Sequence, residues 1–347
     1  MNTTFHNLIL GTAIALGLVV SAKADTYQAA VAEFTAVHEE SGRALGGHVW
    51  YPTRETGEPQ QLRGSAVWQV EAAQPDARIA PGVFPVMLIS HGMYGNSLNQ
   101  AWLAKALAEA GIISVMPNHP GTTSFDRDPE QARMLWLRAT DLSVSLDAAA
   151  RDPRFGDHMD LTRVAAAGHS LGGYTMLAAA GARHDAAGFA AKCADTPDRP
   201  DCAALAMWRV GEDEADLADL QSDRSDPRID TFIALDPGGV QTFDAESIAG
   251  ITRPVMVLGS GRQDMLDQDV EARALAAMLP ADVVTHIEIE GAGHFDFMGV
   301  CLEQGYAILA KEEPGDEIVC AQGTEHRAAM HETLITTIRA HLASVWN

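Results

Sequence analysis

Short, nearly continuous apolar runs alternate with amphipathic stretches along most of this chain. Phe84–Ser90 (FPVMLIS), Ile112–Met116, Val164–Ala167, Ile229–Leu235 and Pro254–Gly259 (PVMVLG) read as strands buried on both faces of a sheet. Val283–Glu290 (VVTHIEIE) alternates like a last strand. Between these runs the helical period predicts helices over Asn99–Ala110, Asp128–Arg151, Asp269–Leu279 and Glu325–Ala343. The first stops at Gly111, and Met330, Leu334, Ile338 and Leu342 make one apolar stripe along the last. Gly46–Thr53 (GGHVWYPT) and Arg63–Glu71 (RGSAVWQVE) run near period two, which predicts two antiparallel strands at a sheet edge; residues 25–45 are alanine-rich and weakly helical. Strands alternating with helices define an α/β chain: a mostly parallel central sheet, helices on both faces, active groups at the C-terminal ends of the strands. Only residues 184–228, polar and without clean periodicity, break the pattern, and they read as an insertion or lid over a cleft.

Residues 1–24 read as an export signal. Leu8–Val20 is long enough for the apolar core of a signal and short for a membrane span, and Ala22-Lys23-Ala24 supplies a small-x-small cleavage site, although no Lys or Arg precedes the run. An uncleaved anchor is the alternative. The remaining residues, 25–347, suffice for one large domain, with no second apolar span. Lys and Arg number 24 against 47 Asp and Glu, a formal charge of −23, which disfavours nucleic acid and anionic membrane and points to a small neutral substrate. The acidic run 212–223 reads as solvated surface. In an exported chain four cysteines suggest disulfides; of the three connectivities, sequence proximity favours Cys193 with Cys202 and Cys301 with Cys320, and the spacing does not suit zinc.

The chemistry centres on Val164–Gly173 (VAAAGHSLGG), where an apolar strand passes through Gly168-His169-Ser170-Leu171-Gly172 into a helix. A serine on so sharp a turn needs near-absent side chains two residues either side, which Gly168 and Gly172 provide. The turn lifts the Ser170 hydroxyl clear of the sheet and puts the Leu171 N–H at a helix start, where it favours a developing oxyanion. A second donor is expected at Met93, in the loop His91-Gly92-Met93-Tyr94-Gly95-Asn96 that ends an apolar strand at the same sheet edge. Asn118 and His119 lie in the loop Pro117–Thr123 that follows the strand Ile112–Met116 at the same edge, where they either line the cleft or, the reading favoured here, serve as turn or loop-packing residues.

Serine is a weak nucleophile until an imidazole takes its proton, and the imidazole needs a carboxylate to fix its tautomer. His294, in the glycine-rich loop after the last strand, is the base candidate. Of the other histidines, His286 lies within a strand, His326, His331 and His341 lie on the closing helix, and His169 is tied into the elbow. Two aspartates compete as the acid. Asp236 ends an apolar strand, a position that is unfavourable unless the carboxylate is paired. Asp264 is equally explained by turn or helix-start chemistry.

SHGMYGN at 90–96, AAGHSLGGYTML at 166–177, IALDPGG at 233–239 and GAGHFDFMGVC at 291–301 resemble the α/β-hydrolase superfamily, and the resemblance spans nearly the whole chain after the signal. More narrowly the motifs resemble the periplasmic predicted dienelactone hydrolases, related to platelet-activating factor acetylhydrolases and chlorophyllases. The resemblance implies an α/β-hydrolase fold with a Ser-His-Asp triad in chain order. In most of the superfamily the acid would fall at Asp264; in the acetylhydrolase and chlorophyllase branch it would fall at Asp236, which is favoured here together with the pairing argument, while Asp264 stays the alternative. The expected activity is hydrolysis of carboxylic esters or lactones by an exported, periplasmic or secreted serine hydrolase that needs no metal or organic cofactor. Amide cleavage and acyl transfer use the same machinery, and a non-catalytic binding module on the fold is the rival of a different class. The sequence leaves acyl chain length and oligomeric state open.

Overall fold

In the computed structural model residues 27–39, 41–62 and 65–347 are described; the segment read as an export signal lies outside them. The strands, in chain order, are β1 (Gln28–Val37), β2 (Ala44–Thr53), β3 (Gln60–Gln61), β4 (Ala72–Pro75), β5 (Phe84–Ser90), β6 (Ile113–Asn118), β7 (Met159–Ser170), β8 (Ile229–Pro237), β9 (Val255–Ser260) and β10 (Val284–Ile289). They form one sheet in the order β10-β9-β8-β7-β5-β6-β2-β1-β4-β3. From β6 to β10 every pairing is parallel, whereas β2 runs antiparallel to both β6 and β1.

The apolar runs are continuous because successive residues enter opposite cores. Val86 and Leu88 of β5 and Val164 and Ala166 of β7 face one core; Met87, Ile89, Ala165 and Ala167 face the other. The second core is closed by α1 (Ala101–Glu109) and, from the far end of the chain, by α11 (Thr324–Val345), whose Leu334, Ile338 and Leu342 are buried. The first is closed by α2 (Pro129–Ala132), α3 (Trp136–Arg151) and α4 (Leu171–Ala180). The remaining helices are α5 (Ala186–Asp195), α6 (Pro200–Met207), α7 (Glu214–Leu220), α8 (Ala245–Ala249), α9 (Ala272–Met278) and α10 (Gly305–Glu312). Cys193–Cys202 ties α5 to α6, and Cys301–Cys320 closes the loop holding α10, with Cα atoms 5.6 and 5.8 Å apart. Among the described residues no helix is long and apolar enough to cross a membrane.

Three expectations need correction. The weakly helical stretch is strand β1: sheet pairing with β2 along ten residues overrides the helix preference of its alanines, and Ala29, Ala30, Val31 and Ala32 are all buried. The expected edge strand 63–71 is irregular where described, joined only by a bridge from Trp68 to Cys301, because β1 already occupies the position beside β2. The helix expected over Asp128–Arg151 is two, α2 and α3, broken so that Leu135, Trp136 and Leu137 are all buried.

Candidate active site

β7 ends at Ser170, whose φ of 56° and ψ of −119° reverse the chain directly into α4. That strain persists because the surrounding backbone is too crowded for any other path. A Cβ on Gly168 would lie 1.9 Å from the Gly172 carbonyl oxygen, and one on Gly172 would lie 2.1 Å from that of Ser90. Gly238 N–H donates to the Ser170 carbonyl at 3.0 Å, fixing the elbow to the end of β8.

Asp236, at the end of β8, turns inward through a φ of 43° and is wholly buried. His294 begins a short 3-10 turn after β10. Its Nδ1 donates to Asp236 Oδ2 at 2.6 Å, which leaves Nε2 to accept from Ser170 Oγ at 3.0 Å. The other carboxylate oxygen, Oδ1, accepts from Ser260 N–H at 2.7 Å and from Gln268 Nε2 at 2.9 Å. Burial alone would raise the Asp236 carboxyl, but the hydrogen bond and charge of His294, with the Ser260 N–H, hold it below the ordinary carboxylate range. Asp264 sits elsewhere on the same histidine: it accepts from the His294 backbone N–H at 3.0 Å and pairs with Arg262 at 3.1 Å, without touching the imidazole. His169 Nε2 donates to the His294 carbonyl at 2.9 Å, so the backbone of His294 is gripped on both sides. Burial, then the neighbouring His294, pushes His169 down to about 3, which keeps it a neutral donor.

Met93 and Leu171 border the same cavity as Ser170. Leu171 is the first residue of α4 and has no intrahelical acceptor for its N–H. Gly92 brings the Met93 loop close: a Cβ there would stand 3.1 Å from the Ser170 Cβ. A buried polar network braces this loop from behind. His91 Nε2 accepts from His119 N–H at 3.0 Å, and Arg138 Nη2 donates to the His91 carbonyl at 2.5 Å. His119 in turn bonds Ser90 Oγ and Asp141, each at 2.9 Å, and Asp141 pairs with Arg43 at 3.0 Å. Asn118 accepts from Ser97 N–H at 2.8 Å. Asn118 and His119 thus pack the loop instead of lining the cavity.

Ser170 and His294 open into a cavity of about 300 Å³. Its walls are largely apolar, with Ala204, Leu205 and Trp208 of the 184–228 segment facing Met265, Leu266 and Val270. Trp208 Nε1 donates to Tyr94 Oη at 3.2 Å, a link from segment 184–228 to the loop that carries Met93. A second cavity, about 360 Å³ between Trp68 and Trp102, holds none of these groups.

Residues 85–197 match a family model described as alpha/beta hydrolase fold. The structure superposes on a ferulic acid esterase from Streptomyces cinnamoneus with a TM-score of 0.60 at 19% sequence identity, covering 94% of this chain and 92% of that one. The parallel sheet, the strand-elbow-helix and these matches agree. The chain has the α/β-hydrolase fold. No protein of curated function matches the sequence.

On this α/β-hydrolase scaffold the structure brings together Ser170, His294 and Asp236, with Met93 and Leu171 alongside, and sets Asp264 against the backbone of His294. Sequence reasoning missed Gln268, Arg199, Asp201 and Glu271. Gln268 bonds the Asp236 carboxylate, and the other three lie in the cavity wall. They carry no motif; the one available signal was a Gln and a Glu three residues apart shortly before α9.

Proposed function

We propose that this protein is an exported serine hydrolase that cleaves carboxylic esters, open-chain or cyclic, through an acyl-enzyme. The observation that carries this reading is the unbroken hydrogen-bonded line from Asp236 through His294 to Ser170, ending at a largely apolar cavity. Ser170 Oγ attacks the ester carbonyl as its proton passes to His294 Nε2. Asp236 holds the imidazole in the Nδ1–H tautomer and stabilises its charged form, and Ser260 and Gln268 keep that carboxylate ionised by occupying its second oxygen. The N–H groups of Met93 and Leu171 receive the oxyanion. His294 then returns the proton to the departing alcohol, and a water activated by the same imidazole releases the acid.

Asp264 is a positioning residue here, with His169 its counterpart on the other face of His294. Residues 184–228 form the lid within one domain, since α6 supplies one wall of the cavity. The two disulfides support an oxidising compartment, periplasmic or extracellular, as the address. The motifs at 90–96 and 291–301 favour the predicted dienelactone hydrolase group as the nearer kin. A small neutral ester is the substrate that suits the apolar walls and the formal charge of −23.

Hydrolysis of p-nitrophenyl esters from acetate to palmitate, with the Ser170→Ala protein in parallel, tests this directly. The wild type is expected to turn over at least one ester and the variant to lose about ten-thousand-fold in kcat/KM. Equal rates in the two proteins would sink the proposal.

A further inference from the structure

The largely apolar cavity at Ser170 carries a polar patch of Arg199, Asp201 and Glu271, with Thr196 and Asp267 also on its wall. Arg199, immediately before α6, directs its guanidinium onto Asp201, with Nε 3.0 Å from Oδ1 and Nη2 on Oδ2. Glu271, immediately before α9, is 3% exposed. Its Oε2 accepts from Val240 N–H at 2.8 Å, while Oε1 lies 3.9 Å from Arg199 Nη2, beyond hydrogen-bond reach. All three residues line the cavity. Arg199 and Glu271 thus present polar atoms to a cavity of largely apolar character, where a bound polar group that has lost its water finds hydrogen-bond partners.

The chemistry of that group follows from the charges. Burial pushes the Glu271 carboxyl up to about 8, against the N–H groups of Val240 and Gly239 and the charge of Arg199, which act to lower it, and with Asp201, which adds to the rise. The charged groups facing Glu271 are therefore Arg199 and Asp201, from the α6 side, and the turn Val240–Thr242 offers it backbone N–H only. At neutral pH Glu271 is protonated, so its carboxyl carries an O–H donor. Arg199 and Asp201 cancel. The patch is neutral overall and holds the Glu271 O–H, so it suits an uncharged oxygen better than a carboxylate or an ammonium.

We propose that Arg199 and Glu271 form a polar subsite that hydrogen-bonds a hydroxyl on the cavity-bound part of the ester, making hydroxyl-terminated esters better substrates than alkyl esters of equal length. The proposal rests on the ester-hydrolase reading above and names the substrate class of that same site.

Matched chain-length series test it: p-nitrophenyl ω-hydroxyalkanoates against alkanoates for the acyl side, and acetates of α,ω-diols against those of alkanols for the alcohol side. In one series, at one length, the wild type is expected to favour the hydroxyl substrate about tenfold or more in kcat/KM, the scale of a site built to bond a hydroxyl. Glu271→Leu is expected to bring that ratio to about one and Arg199→Met to lower it several-fold. Glu271→Gln, which keeps an acceptor for Val240 and a donor toward the cavity, retains it. Because Glu271→Leu strands the Val240 N–H and can lower folding yield, Arg199→Met and Glu271→Gln carry the test without it. A ratio near one at every length in both series, or one unmoved in Arg199→Met, overturns the subsite. Calorimetric binding of α,ω-diols against alkanols to Ser170→Ala separates this from failure of the hydrolase reading: tighter diol binding at one length supports the subsite even if no ester turns over, and equal binding at every length overturns it.

Discussion

Ser170 and Glu271 border one cavity, but the two sides that hold them are built by different means. On the serine side backbone packs on backbone: Gly168 against Gly172, Gly172 against the Ser90 carbonyl, Gly173 against Pro237. The opposite side is made of short helices, with Asp185 and Asp213 capping α5 and α7 and a disulfide joining α5 to α6. Leu205 of α6 and Trp208 just after it line the cavity from this side. A position set by backbone crowding admits one residue type and fixes where the nucleophile points. A position set by side chains can be rewritten while Ser170 stays in place, so on the proposed reading chemistry belongs to the first side and selectivity to the second.

The sharpest way to break that division is through the two aspartates at His294. Asp236→Asn, which cannot hold the reactive tautomer, is expected to lower kcat about ten-thousand-fold, whereas Asp264→Asn, acting only on the backbone of His294, lowers it about tenfold. Comparable losses in ester hydrolysis would merge the two roles. Next in size is Gly172→Ala: a Cβ 2.1 Å from a carbonyl oxygen forces the strand apart, and urea unfolding should show a loss of about 3 kcal/mol or more. Met265→Ala, at the exposed rim of the opposite wall, should stay within about 0.5 kcal/mol while shifting the preferred chain length. Replacing Cys193 and Cys202 together by Ser opens a loop spanning nine residues, and about 2.5 kcal/mol is the loop-closure expectation. The loss should appear as a changed chain-length optimum, with fluorophosphonate reactivity of Ser170 retained.

Acid titration separates the sides by sign. Burial is the first cause holding His91, His119 and His169 below the ordinary imidazole value, so the unfolded chain takes up protons that the native one refuses. Stability on the serine side is full above about pH 6.5 and falls by about 1.4 kcal/mol per pH unit for each histidine as the pH drops below it. Glu271 works the other way. Its native value near 8 lies above that of the unfolded chain, so its contribution is greatest in acid and is lost as the pH rises through about 4.3 toward 8. Glu271→Gln should therefore steepen the stability loss between pH 6.5 and 5, measured by urea midpoints; an unchanged slope would remove Glu271 from the titration.

The same division explains what was readable in the sequence. Glycines at 168, 172 and 173 are a local signature of a local constraint, and the paired apolar runs report a sheet covered on both faces. Asp236 stood out because a carboxylate at the end of an apolar strand requires a partner. β1 was misread because alanine suits a helix until a neighbouring strand claims it, and that neighbour lies across a turn that periodicity does not reveal. Arg199 and Glu271 left no trace because the wall joins positions some seventy residues apart, and only the path of the chain through 184–228 makes them neighbours.

The central claim is that Asp236 and His294 activate Ser170. The most direct measurement is labelling with a fluorophosphonate, with the adduct mapped by tandem mass spectrometry and its rate followed in wild type, Ser170→Ala and Asp236→Asn. The account predicts a single adduct on Ser170, none in Ser170→Ala, and labelling slowed at least about a hundredfold in Asp236→Asn. An adduct on another residue, or wild-type labelling rates in Asp236→Asn, would contradict it.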